Sequence, residues 1–171
     1  MKKSITAIIG IAVVIGLVIL TAGCVGSQGQ SGVQPGDETE IAKLIEDHIP
    51  QEQVIMLGTA SASGVPNISP IGTFITAKNR IILGNLHMSK TLANIQENPQ
   101  VTILVMNTDK GYCLQFKGTA EIKTNSDEHK LINELVEERL GDTAQAKNVV
   151  VITITEVYNS MPDSNAGQRT A

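Results

Sequence analysis

Ser89, Lys90 and Thr91 stand in a row and bring two hydroxyls and an ammonium to one place. What they can do depends on the chain around them. Residues 81–84 (IILG) are an apolar run, and Asn85 to Met88 break it. Ser89 is suited to cap a helix, because its hydroxyl can accept from backbone N–H groups one turn on. Met88, Leu92 and Ile95 recur at helical spacing and give that helix an apolar side. Asn98-Pro99 ends it, since proline donates no N–H and restricts the residue before it. Residues 101–106 then read as a strand. The three residues therefore sit where a short helix begins, among unpaired backbone donors at the positive end of the helix dipole. With an ammonium and two hydroxyls added, this is the chemistry of phosphate binding. The same residues also suit a capped surface helix with a solvated lysine, and spacing by itself leaves both readings open.

Other chemically able residues are sparse. His48, His87 and His129 have no ligand-like spacing to one another or to Cys113, so no metal site is expected. With Cys24 taken by an anchor, Cys113 is left alone and cannot close an internal disulfide. No base is tied to Cys113 by sequence, which makes it a structural thiol rather than a nucleophile. No side chain is singled out as catalytic.

The two ends of the chain differ from its middle. A positive start, Met1-Lys2-Lys3, precedes an uncharged apolar run over 5–20, and Thr21-Ala22-Gly23 leads into Cys24. Residues 1–24 resemble a lipoprotein signal peptide with Cys24 as the lipidated residue. The rival is an uncleaved anchor, because the run approaches the roughly 17–25 residues that span a bilayer. Either way the soluble part is expected on the extracytoplasmic side of the cell membrane. Residues 25–37 are Gly/Ser/Gln-rich and read as a flexible linker, and 161–171 as a disordered tail. Removal of residues 1–23 takes away Lys2 and Lys3 and leaves 11 basic against 17 acidic residues. An acidic chain with no basic stripe and only Phe74, Tyr112, Phe116 and Tyr158 as aromatics is not expected to bind nucleic acid.

Residues 38–160 are one domain in size and pattern. Asp37 with Glu40 three positions on opens a helix that Pro50 ends, with Ile41, Leu44 and Ile45 on one face and His48 at the surface. Residues 53–61 form a first strand. A second, 67–77, is interrupted at Ser69-Pro70, where proline points to an edge or a bulge. A third strand, 81–84, the short helix and the strand 101–106 follow. Residues 112–123 alternate with period two, with Cys113, Gln115 and Lys117 on the polar side. Ser126 caps a helix that Gly141 closes. The strand 149–157 begins with a near-continuous apolar run, which places it centrally, covered on both sides. Six strands and three helices without regular alternation predict an α+β fold whose antiparallel sheet curls into a small barrel.

In order along the chain stand VIMLGTAS, SGVPN, SPIGTF, IILGN, SKTLANIQENPQVTILV, LQFKGTAEI and VVVITITEV. This set resembles the pyridoxamine-phosphate-oxidase-like, flavin-binding split barrels, and within them the small FMN-binding proteins. The resemblance covers essentially the whole soluble domain, and the SKT…NI…NP segment is its most specific part. It implies a six-stranded antiparallel split β-barrel with flanking helices and an FMN at a homodimer interface. Lys90 and Thr91, with Ser89 beside them, would hold the phosphate. Ser69, Pro70, Ile71 and Gly72 would line the isoalloxazine, Asn85 and Leu86 would lie near the ring or ribityl chain, and Gln115 would reach the flavin from the partner subunit. True pyridoxamine phosphate oxidases end in a segment with Trp and paired Arg and His. This chain has no Trp and ends in PDSNAGQRTA, so vitamin B6 oxidation is not expected. The expectation is a membrane-tethered flavoprotein that passes hydride or electrons, with FMN preferred over the deazaflavin F420. The alternative is a non-catalytic module that holds a planar ligand.

Overall fold

A computed structural model describes residues 35–50 and 52–171. The expected signal peptide or anchor and most of the linker lie outside the described residues. Among those residues no helix is long and apolar enough to cross a membrane.

Asp37 caps α1 (Glu38–His48), its carboxylate accepting from the N–H groups of Thr39 at 2.8 Å and Glu40 at 3.4 Å. Then follow β1 (Ile55–Ala60), β2 (Pro66–Ile71), β3 (Phe74–Ala77), β4 (Arg80–Gly84), α2 (Ser89–Glu97), β5 (Gln100–Asn107), β6 (Tyr112–Lys123), α3 (Asp127–Leu140) and β7 (Val149–Asn159). All seven strands belong to one sheet in the order β2-β1-β5-β6-β7-β4-β3, and every neighbouring pair is antiparallel.

The two outer strands, β2 and β3, are consecutive in the chain, joined by Gly72 and Thr73 alone. A flat sheet of this order would hold its edges about 29 Å apart at ~4.8 Å per strand. The three steps from Ile71 to Phe74 reach at most about 11 Å. The sheet therefore has to curl until its edges nearly meet, which makes it a barrel with a seam. Short β-turns and alternating strands thus lead to the expected α+β split barrel.

The expected strand count of six becomes seven. The stretch read as one strand over 67–77 breaks at Gly72-Thr73, not at Ser69-Pro70. Pro70 lies inside β2, paired with Met56, in a register that runs unbroken from Ile55–Ile71 to Ala60–Pro66. It is tolerated there because β2 is an edge and the missing N–H faces no strand. The bulge falls on β7 instead, at Thr155, which is skipped where Lys117 pairs with Glu156 and Gly118 with Ile154.

Inward residues of the strands fill the barrel. Ile55, Leu57, Phe74, Ile103, Phe116 and Ile152 are fully buried, and Ile41 and Ile45 of α1 and Ile95 of α2 join them. The outer side of β4 and β7 is covered by α3, through Ile132 and Val136 against Ile82, Val149 and Val151. The strand expected to be covered on both faces, β7, has one apolar row in each cluster.

Two further expectations are corrected. The segment 161–171 is not a disordered tail. The Val157 N–H donates to Ala171 O at 2.7 Å, the Asn159 N–H to Gln168 O at 2.9 Å, and Ala171 is buried in the core. Its polar composition suggested disorder, but β4 stops at Arg80 opposite Thr153, so the far half of β7 needs another partner. Cys113, expected on the polar side of β6, is buried, and the Ser160 N–H donates to its carbonyl as the chain passes after β7. Burial pushes its thiol above the ordinary cysteine range.

Candidate functional site

The seam between the barrel edges opens into a cavity of about 380 Å³. One wall comes from Ser69, Pro70 and Ile71 at the end of β2 and the joining Gly72 and Thr73. The other comes from Gly84, the turn 86–88 and the first residues of α2, Ser89, Lys90 and Thr91. β2 has one strand neighbour only, so its outer backbone edge is turned to this seam. No Asp or Glu lines the cavity.

Eight of the ten residues expected to bind a ligand meet here: Ser69, Pro70, Ile71, Gly72, Leu86, Ser89, Lys90 and Thr91. Ser89 does not cap the helix as expected. It is the first helical residue, Met88 holds the cap position, and no side chain bonds there. The turn is fixed by Asn85 instead, whose Oδ1 accepts from the Met88 N–H at 2.7 Å. The first bond of α2 runs from the Leu92 N–H to Met88 O, and the Ser89 N–H turns back to His87 O. The Lys90 and Thr91 N–H groups meet no acceptor among the described residues. Lys90 is exposed and makes no ion pair there.

Thr91 is 2% exposed, and its hydroxyl lies 2.8 Å from that of Ser69. Asn67 Nδ2 donates to both oxygens, at 3.3 Å each. Two hydroxyls have two hydrogens, and the bond between them uses one. The other has no acceptor among the described residues, and both side chains line the cavity. Open N–H groups, a spare O–H and an ammonium gather donors here, beside an apolar wall of Pro70, Ile71, Leu86 and Met88. Such a set fits an acceptor-only anion attached to a flat apolar body.

The remaining two expected residues lie elsewhere. Asn85 is 4% exposed and bonded inward, its Nδ2 donating to Asn148 Oδ1 at 3.1 Å. It borders a neighbouring cavity of about 430 Å³ with Lys147 and Asn148. Gln115 lies in a groove on the outer face of β2, β1, β5 and β6, and one copy of the chain does not bring it to the seam.

Sequence reasoning passed over His87 and Met88 in the cavity wall and the polar group behind it, Thr59, Asn67 and Asn94. Thr59 and Asn94 are both buried and joined by a 3.1 Å bond. The available signals were a Thr at an inward position of β1 and an Asn three residues after Thr91 on the apolar side of α2. Arg139 of α3 also reaches this region, its guanidinium donating to Gly72 O at 3.3 Å.

Residues 41–161 match the family described as pyridoxamine 5'-phosphate oxidase. An uncharacterized protein of Methanocaldococcus jannaschii is 34% identical over 133 residues, which is 75% of this chain and 88% of that protein. The crystal structure of HupZ from Group A Streptococcus is 26% identical with a TM-score of 0.60, over 75% of this chain and 97% of HupZ. An FMN-binding protein of Syntrophomonas wolfei has a TM-score of 0.52 over 70% of this chain and 83% of that one, and at 18% identity is alike in fold alone.

Proposed function

The chain belongs to the pyridoxamine 5'-phosphate oxidase family, and from that premise we propose that it is a flavoprotein whose seam cavity holds FMN by its phosphate. One observation carries the reading: the donor-rich cluster at the start of α2, with no carboxylate in the cavity wall. The Lys90 ammonium, the amides of Lys90 and Thr91 and the spare hydroxyl hydrogen would hold the phosphate. The apolar surface of Pro70, Ile71 and Leu86 would lie against the ring. When bound, FMN supplies hydride or electron transfer, and the protein supplies placement and electrostatics. No side chain is assigned as an acid or base.

The outer groove supports a homodimer. Met56, Ile68 and Leu104 are exposed by 38%, 69% and 36% on a sheet face that no helix among the described residues covers. Such a contiguous apolar face suits a protein contact. Gln115 lies on this face, consistent with a partner subunit offering it to the flavin. Tethering through Cys24 or through the apolar run 5–20 places the domain outside the cytoplasm; mass spectrometry of the native N-terminus separates the two.

The test is the absorbance spectrum of the purified full chain, followed by release and identification of any bound cofactor. A yellow protein that bleaches with a reductant is expected. A colourless chain that takes up no added FMN overturns the proposal. A bound flavin or F420 that undergoes no turnover with any donor or acceptor identifies the non-catalytic module instead.

A further inference from the structure

We propose that the neighbouring cavity, behind the turn 86–88, is a second anion site, built by Asn148, Lys147, His87 and Ser89 for a small organic phosphate or carboxylate and distinct from the niche at the seam. The inference goes beyond the flavin reading and stands without it.

This cavity measures about 430 Å³, and its hydrogen-bond directions are fixed from the backbone outward. The Met88 N–H can only donate, so Asn85 turns Oδ1 toward it, at 2.7 Å. Asn85 Nδ2 is then the atom that faces Asn148, at 3.1 Å, and Asn148 answers with Oδ1. One backbone donor thus sets both amide orientations. The Nδ2 hydrogens of Asn148 are turned away from Asn85 and meet no acceptor among the described residues, and Asn148 lines the cavity. Backbone bonds hold the pair in place: the Asn85 N–H donates to Asn148 O at 3.0 Å and the Lys147 N–H to Asn85 O at 2.9 Å.

Lys147 stands beside Asn148 in the wall, exposed and with no ion pair among the described residues. Its ammonium offers hydrogens and no lone pair, and Ser89 and His87 can each donate as well. Acidic residues outnumber basic ones in the chain, 17 to 13, yet none lines this cavity. A cation with no carboxylate beside it, next to an open amide, favours an anion over a neutral ligand, because bonds to a charged acceptor are the stronger ones. Met88 and Leu92 supply an apolar floor for the organic part. Lys147 also borders a cavity of about 500 Å³ with Lys130 and Asn133. There the second lysine is already paired, Lys130 with Asp127 at 3.2 Å, which leaves the Asn148 side for the anion.

The probe is inorganic phosphate, titrated into the 15N-labelled full chain with and without saturating FMN. Phosphate should shift the Asn148 side-chain amide resonances, and should still do so with FMN present. Asn148→Asp keeps an oxygen toward Asn85 and replaces the open amide by a charged acceptor. Followed at the backbone amides of 147 and 148, phosphate affinity should fall about tenfold or more in that variant. Lys147→Gln should lower it roughly three- to tenfold. FAD identifies the source of the anion. If FAD displaces phosphate from Asn148 and binds less tightly to Asn148→Asp, the anion is the second phosphate of a dinucleotide; if FAD has no effect there, the anion belongs to a separate molecule. A chain that binds no FMN yet responds to phosphate at Asn148 keeps this site and loses the flavin reading alone. The site is overturned by Asn148 resonances that stay in place, by phosphate that moves Asn133 instead, or by an affinity unchanged in both variants. A response that FMN abolishes merges the cavity with the seam and overturns it too.

Discussion

Ser69 and Thr91 are 22 positions apart in the chain, yet their hydroxyls meet at 2.8 Å. That bond ties the edge strand β2 to the first turn of α2 across the barrel seam. It places Lys90, the neighbour of Thr91, at the same opening. Lys90→Ala should therefore weaken FMN binding about tenfold, or ~1.5 kcal/mol for one exposed charge-assisted contact. Riboflavin binding should not change. Fluorescence titration with both ligands checks this, and an equal loss for the two would place Lys90 away from the phosphate.

The apolar outer face gives a prediction about assembly. Ile68 is 69% exposed, so a lysine there meets little folding resistance in a single copy. Light scattering should find the wild type dimeric and Ile68→Lys monomeric, with FMN affinity reduced in the monomer. A wild type that is monomeric at working concentration rejects the dimer.

Gly118 lies against the Thr153 carbonyl beside the β7 bulge, so close that any Cβ collides with backbone. The atoms it would meet are backbone of Thr153 and Ile154, with no flexible side chain to yield. Gly118→Ala should destabilise the domain by about 3 kcal/mol, the upper part of the usual overpacking range. Urea unfolding measures it, and a loss below about 0.5 kcal/mol would show that the strands can part at little cost.

The C-terminal segment should matter to stability. Deleting 161–171 removes the bonds of Ala171, Thr170, Gln168 and Gly167 to Val157 and Asn159 and uncovers part of the core. A loss of about 2–4 kcal/mol is expected from those backbone bonds. The melting temperature of the truncated chain reads it directly; a disordered tail would leave it unmoved.

Acid should weaken the fold through two carboxylates. The N–H groups of Thr39 and Glu40 hold Asp37 below the ordinary aspartate range. Glu128 is lowered first by its own backbone N–H, then by the Ser126 hydroxyl and Lys123. A carboxylate lowered in the folded state stabilises above its unfolded value, near pH 4 to 4.5 at about the ordinary range, and that contribution is lost as pH falls through the lowered value. Melting temperatures followed from about pH 6 to pH 2 should fall less steeply for Asp37→Asn with Glu128→Gln than for the wild type. The Asn keeps an oxygen to cap α1, so its helix should persist.

Much of this protein was determined by the order of its residues over short distances. Period-two alternation over 112–123 gives β6, and Ser126 and Gly141 bound α3 as capping chemistry requires. The helix start at Ser89-Lys90-Thr91 is equally local, since an apolar face, a proline stop and a cation lie within one dozen residues. Ser89 itself was misplaced by one position, because the cap was decided by Asn85 reaching the Met88 N–H from the loop before.

Tertiary structure decided whatever depends on partners far along the chain. The strand break at Gly72-Thr73, rather than at Pro70, follows from closing the sheet, because the chain must leave one edge and enter the other there. The tail is ordered because half of β7 lacks a neighbour, a need visible only once β4 has stopped. Asn67 joins Thr91 24 positions away, and no spacing rule in a strand or a helix spans that interval. Periodicity and capping act through neighbours in sequence, whereas register, burial and shared hydrogen bonds are set by which surfaces meet when the barrel closes.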